Sequence, residues 1–228
     1  MKFTYPVELH DFVEATELCN CDSPEIIAKA DEITRNSKNP EDAACQVFKF
    51  VRDKFLFSLT NATEKASETL KGNEGWCITK TNLQIALLRS LGIPARYHQV
   101  VLHKRAMKGI ISELLYKQLK ERIWFHPWCE CFLSGKWIIC DLYLDKYTYL
   151  AAIQEGIITK RMIPSIDWDG VHDLRLVTPY MIEDVGLLSS YDEVCKLVAA
   201  EMKLRSFLPK LIVRQSNRHT SKLRANFS

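Results

Sequence analysis

Two β-rich runs, IWFHPWCECFL (123–133) and KWIICDLYLD (136–145), flank the dipeptide Ser134-Gly135. A two-residue turn between such runs predicts an antiparallel hairpin, and the turn sets its register. With Ser134 and Gly135 at the centre, Leu133 pairs with Lys136, and Asp141 falls opposite Trp128. Residues two apart share a face, so His126 and Asp141 lie on the same side as diagonal neighbours. That separation is roughly 7–8 Å at the backbone, within reach of a side-chain hydrogen bond. Pro127, Cys129, Cys131 and Leu133 take the other, apolar face with Ile138, Cys140 and Leu142. A slip of one residue would reverse these relations.

Helix signals dominate the first third. Ser23-Pro24-Glu25 and Asn39-Pro40-Glu41 each read as an N-cap followed by proline at the first helical position. The first helix is expected to reach about Arg35 and the second about Phe57, with Ala44, Val47, Phe48 and Val51 as a buried stripe. Residues 58–76 read as a loop with a helical turn at Ala66–Lys71. A helix then opens at Cys77, buries Leu83, Ala86, Leu87 and Leu91, and stops at Gly92 with Pro94 beyond. A strand follows through Tyr97, Val100, Val101 and Leu102, and residues 107–122 read as a helical insertion before the hairpin. Further helices are expected near Leu150–Glu155 and from Tyr191 to about Arg214. Helices, a cysteine-headed helix and then antiparallel strands make the chain α+β. It is read as one domain over 1–209, with a basic C-terminal tail over 210–228.

Cysteine at a helix start has chemical meaning. Thiolate is the nucleophilic form, and helix N-terminal N–H groups together with a nearby imidazolium favour it. Cys77 has the helix start, His126 carries an imidazole, and Asp141 lies where it can orient and charge that ring. The Cys77 N–H is a ready oxyanion donor. Trp128 shares the His126 face, and it and Trp76 are expected as cleft walls.

Composition removes several classes of function. The 228 residues carry a formal charge of only +3, too little to imply nucleic acid, although basic residues cluster over 102–122 and 210–228. No apolar stretch is long enough for a membrane span, and MKFTYPVELHDF has no signal-peptide core. Eight cysteines are too sparse for a disulfide scaffold, so free thiols in a reducing cytoplasm are expected. Cys19-x-Cys21 and the hairpin cysteines lack zinc-ligand spacing and are read as packing, and DWDGVHD (167–173) as a turn. No metal and no cofactor are expected.

EGWC (74–77), LRSLGIPAR (88–96), HPWCE (126–130) and KWIICD (136–141) stand in the order and spacing of the transglutaminase-like superfamily, which residues 67–145 resemble. The resemblance implies a papain-like α+β core, a Cys77–His126–Asp141 triad and acyl transfer through a thioester on a peptide or protein amide. The same stretches resemble the core of peptide N-glycanases, whose upstream CxxC pairs this chain lacks. Hydrolysis is favoured over cross-linking. The alternative is an inactive transglutaminase-like fold used as a binding module.

Overall fold

A computed structural model describes residues 2–196 and 210–227. Helix α1 (Pro24–Ile33) begins where the Ser23 side chain accepts the Ile26 N–H, and α2 (Pro40–Lys54) where Asn39 accepts from Asp42 at 2.8 Å. Both have proline in the first turn, where its missing N–H costs nothing. The α2 stripe of Ala44, Val47, Phe48 and Val51 is fully buried. Strand β1 (Leu56–Phe57) pairs in parallel with β2 (Glu74–Gly75), bracketing the short α3 (Ala66–Lys71).

Helix α4 (Cys77–Ser90) is the centre of the molecule. Every one of its residues is buried, not only the expected apolar side. Helices α1, α2 and α3 cover one flank, and β3 (Ala95–His103) and β4 (Arg122–Leu133) cover the other. Several of its polar side chains are satisfied by backbone carbonyls. Thr81 Oγ1 donates to Pro127 O at 3.2 Å, and Asn82 Nδ2 to Leu18 O at 3.0 Å. Arg89 donates to Ala95 O and Glu14 O.

The sheet is antiparallel in the order β5-β4-β3-β6, with β5 at Lys136–Cys140 and β6 at Met181–Leu188. The hairpin register is the expected one, from Leu133↔Lys136 to Cys129↔Cys140. Ser134 and Gly135 have φ of 48° and 80°, the left-handed pair that a tight hairpin turn requires. Cys129, Cys131 and Cys140 are buried in the core, with Gln84 of α4 donating to the Cys140 sulfur at 3.1 Å.

Four expectations need correction. The second strand ends at Cys140, not Asp145, because Asp145 caps α6 (Lys146–Gln154), accepting the Thr148 N–H at 2.9 Å. The insertion over 107–122 is not one helix. A 3-10 turn at Lys104–Met107 gives way to Gly109 at φ +78°, and only Glu113–Gln118 forms a helix (α5), capped by Ser112. The basic segment expected as a tail is helix α7 (Lys210–Ala225), which buries Ser216, Thr220 and Leu223 against α5 and α6. Strand β6 was not expected at all, because its residues are mostly exposed and show no buried alternation. Residues 191–196 are helical; of the remainder of the helix expected to about Arg214, 197–209 lie outside the described residues and Lys210–Arg214 open α7. Among the described residues no helix is long and apolar enough to cross a membrane.

The end of α4 is fixed by Gly92, at φ +78°, whose N–H bonds Arg89 O while Ile93 N–H bonds Leu88 O. A side chain there would strike the Phe3 carbonyl, and Phe3 N–H in turn bonds Leu91 O at 2.8 Å. Gly92→Ala is expected to lower stability by about 1–3 kcal/mol for the backbone strain alone, with the clash adding to it. Urea unfolding followed by circular dichroism measures this, and an unchanged midpoint would refute it.

Candidate active site

Cys77 opens α4 directly after an extended Trp76. The approach is fixed by the β1–β2 pair, through Leu56 N–H to Asn73 O at 2.9 Å and Ser58 N–H to Gly75 O at 3.1 Å. Gly75 must be glycine on packing grounds: a Cβ would lie 2.9 Å from Thr79 Oγ1 and 3.1 Å from Lys80 Cγ. The loop therefore lies flat on the first turn of the helix, and Thr79 Oγ1 accepts the Trp76 N–H at 3.3 Å. Asp145 holds the other side, accepting Phe57 N–H at 2.7 Å.

His126 and Asp141 meet as the hairpin register requires, with Nε2–H donating to Oδ1 at 2.9 Å. Both side chains are buried. The second carboxylate oxygen, Oδ2, accepts the N–H groups of Leu176 and Val177 at 3.1 and 3.2 Å. The ring also shares a hydrogen bond with the Cys77 side chain. Burial alone would drive the imidazole's titration down. The charges of Asp141 and Cys77 and the hydrogen bonds to both overcome it, and push the value up to about 10.

The other seven cysteines stand apart. None of the eight is in a disulfide, and burial pushes each of Cys19, Cys21, Cys45, Cys129, Cys131, Cys140 and Cys195 up. Among the described residues, no cluster of histidine, cysteine, aspartate and glutamate is arranged to hold a metal ion.

A partly open, largely apolar cavity of about 120 Å³ lies against Cys77 and His126. Trp76 lines it, as expected for a cleft wall. Trp128 does not. It is wholly buried with its ring 5.0 Å from that of His98, and the wall beside His126 is Tyr143, whose ring stands edge-on at 6.1 Å. Sequence spacing put Trp128 on the right face of the strand but could not show that β3 covers that position.

Lys80 was also not singled out. It sits one turn beyond Cys77, fully buried, and its Nζ has no hydrogen-bond partner among the described residues. Burial pulls its titration down to about 8, against the opposing charges of Asp145 and Cys77. The available signal was its i, i+3 position from the cysteine, which places both on one helix face.

The fold is α+β, with a helix-borne cysteine brought against a histidine–aspartate pair on an antiparallel sheet. The sequence pattern of the Transglutaminase-like superfamily matches residues 27–142, just over half of the chain. The protein belongs to that superfamily, a family of cysteine-dependent enzymes. No curated protein matches the chain. Solved structures that resemble it include a candidate cysteine protease from Cytophaga hutchinsonii, 21% identical with a TM-score of 0.48, matched over 60% of this chain and 43% of that one. Another is a candidate protease from Parabacteroides distasonis, 13% identical with a TM-score of 0.39, matched over 60% and 26%. The aligned region thus spans less than half the length of either neighbour.

The charged ring has a thermodynamic consequence. A histidine whose value is raised on folding stabilises the native state fully below its unfolded value of about 6.5, and loses that contribution as pH rises toward about 10. Lys80, lowered to about 8, acts in the opposite sense only above that pH. Between pH 6.5 and 8, stability is therefore expected to fall by up to about 1.4 kcal/mol per pH unit from this ring. His126→Gln should flatten the fall, and parallel urea-midpoint profiles for the two proteins would show that the ring is neutral.

Proposed function

We infer that the protein is a cysteine-dependent amide hydrolase in which Cys77 is the nucleophile, His126 the proton carrier and Asp141 the residue that orients and charges the ring. The observation that carries this reading is the single imidazole hydrogen-bonded at once to a buried carboxylate and to a sulfur on the first turn of a helix. The Cys77 thiolate attacks the carbonyl carbon of an amide. The oxyanion that forms is met by first-turn N–H groups of α4, which have no acceptor within the helix. His126 gives its Nδ1 proton to the amine nitrogen, the C–N bond breaks, and a thioester remains on Cys77. His126, now neutral at Nδ1, takes a proton from water as the water attacks the thioester. The C–S bond breaks, a carboxylic acid leaves, and thiolate and imidazolium are restored.

An amine in place of that water would give acyl transfer by the same steps. Water is the acceptor in this reading, and a peptide or protein amide is the substrate. Thiols throughout, including Cys131 and Cys140 with sulfurs 3.9 Å apart, support a reducing compartment such as the cytoplasm.

Iodoacetamide at pH 6 tests the nucleophile directly. Cys77 is expected to be alkylated rapidly there, as located by peptide mass spectrometry, and His126→Ala should slow the reaction strongly. Against a fluorogenic amide, Cys77→Ala should abolish turnover and Asp141→Asn should lower kcat by about 10³-fold or more, because an amide in that place supports the wrong tautomer. Slow labelling of Cys77 with no turnover would instead identify an inactive binding module.

A further inference from the structure

The cavity at Cys77 is narrowed by two lips and a helix. Its lip from the insertion supplies Met107, Ile111, Leu115 and Leu119, with Ile123 of β4 beside them. A second lip comes from Phe57, Leu59 and Thr60, just after α2, and Val213 of α7 spans between the two. Hydrogen bonds tie α7 to both lips. Ser216 Oγ accepts Ser112 N–H at 3.2 Å, and Thr220 Oγ1 donates to Ile110 O at 2.8 Å. On the opposite side Asn217 Oδ1 accepts Leu59 N–H at 2.9 Å, its Nδ2 donates to Leu59 O at 3.2 Å, and Arg224 donates to Phe57 O at 2.9 Å. The helix thus uses up the Leu59 backbone groups, which an extended peptide strand would need.

What remains is a small chamber with hydrocarbon walls. Tyr143 contributes only its ring, since its hydroxyl donates to Ala106 O. A dry cavity of about 150 Å³ accepts benzene. The roughly 120 Å³ here accordingly fits a branched group of four or five carbons. Because the leaving amine must exit and water must enter, a narrow apolar recess suits the part of the substrate that stays on sulfur.

We propose that this cavity is an acyl-selecting pocket: the amide cleaved joins a short, branched, uncharged aliphatic acyl group to an amine of a peptide or protein. This rests on the thioester reading of Cys77, and deepens it by naming the group transferred. The insertion, the segment after α2 and α7 supply most of the pocket's walls, with Leu102 of β3 and Ile123 of β4.

Binding of 3-methylbutanoyl, acetyl and succinyl p-nitroanilides to Cys77→Ala, with Cys77→Ser as a second inert form, tests the pocket without the chemistry. Calorimetry should show the 3-methylbutanoyl compound bound roughly 50-fold more tightly than the acetyl one, from three further buried carbons, and the succinyl compound most weakly. Leu115→Ala should move the optimum to the hexanoyl compound. A 3-methylbutanoyl preference below tenfold in both inert forms overturns the pocket, whatever the hydrolysis data show. Hydrolysis of the same compounds by the unaltered protein reports on the acyl-transfer reading separately. Selective binding without turnover or alkylation of Cys77 retains the pocket and removes the thioester chemistry, while turnover without selectivity does the reverse.

Discussion

A buried histidine finds its partner in one buried carboxylate, Asp141, at 2.9 Å. The second oxygen of that carboxylate is satisfied by two backbone N–H groups, which leaves the first aimed at the ring. Those N–H groups come from Leu176 and Val177, which reach the site through a short parallel contact of Leu174 with Cys140. Ile139 N–H bonds Asp173 Oδ1 one step earlier. A loop with no regular structure therefore fixes the electrostatics of a site whose side chains sit on a helix and a sheet. Removing one partner of such a buried set leaves the others uncompensated, which makes the set act as a unit.

The same economy governs α4. A helix buried on all sides gains no amphipathic stripe to orient it. Its rotation is set instead by polar side chains that must find partners: Thr81 on Pro127, Asn82 between Leu18 and Tyr97, Gln84 on Cys140, Arg89 on Ala95. These bonds aim the first turn at His126. Misplacing any of them by a turn would move the sulfur away from the ring.

How much of this was legible follows from where each signal resides. The hairpin register was readable because Ser134-Gly135 adopts the one backbone geometry that joins adjacent strands, and that register brought His126 to Asp141. The start of α4 and its stop at Gly92 were readable for the same reason, since caps are local. Tertiary cover was not. The far side of α4, the burial of Trp128 under β3, the lone cation of Lys80 and the docking of α7 depend on neighbours distant in the chain. Residues 107–122 carry a helical composition that Gly109 and Ser112 interrupt, because the chain there must bend to meet α7. The basic residues of α7 resembled a solvated tail, since only Ser216, Thr220 and Leu223 of its sixteen residues are buried.

Seven thiols are muted by the folded environment, three of them at the heart of the sheet. Unfolding would release all of them to ordinary reactivity at once. On the reading of Cys77 proposed above, a mild electrophile applied to intact material is expected to mark one sulfur per molecule, and the same reagent applied after denaturant eight. The ratio of the two readings is an internal gauge of how much of any preparation is correctly folded, with no engineered cysteine-free background required.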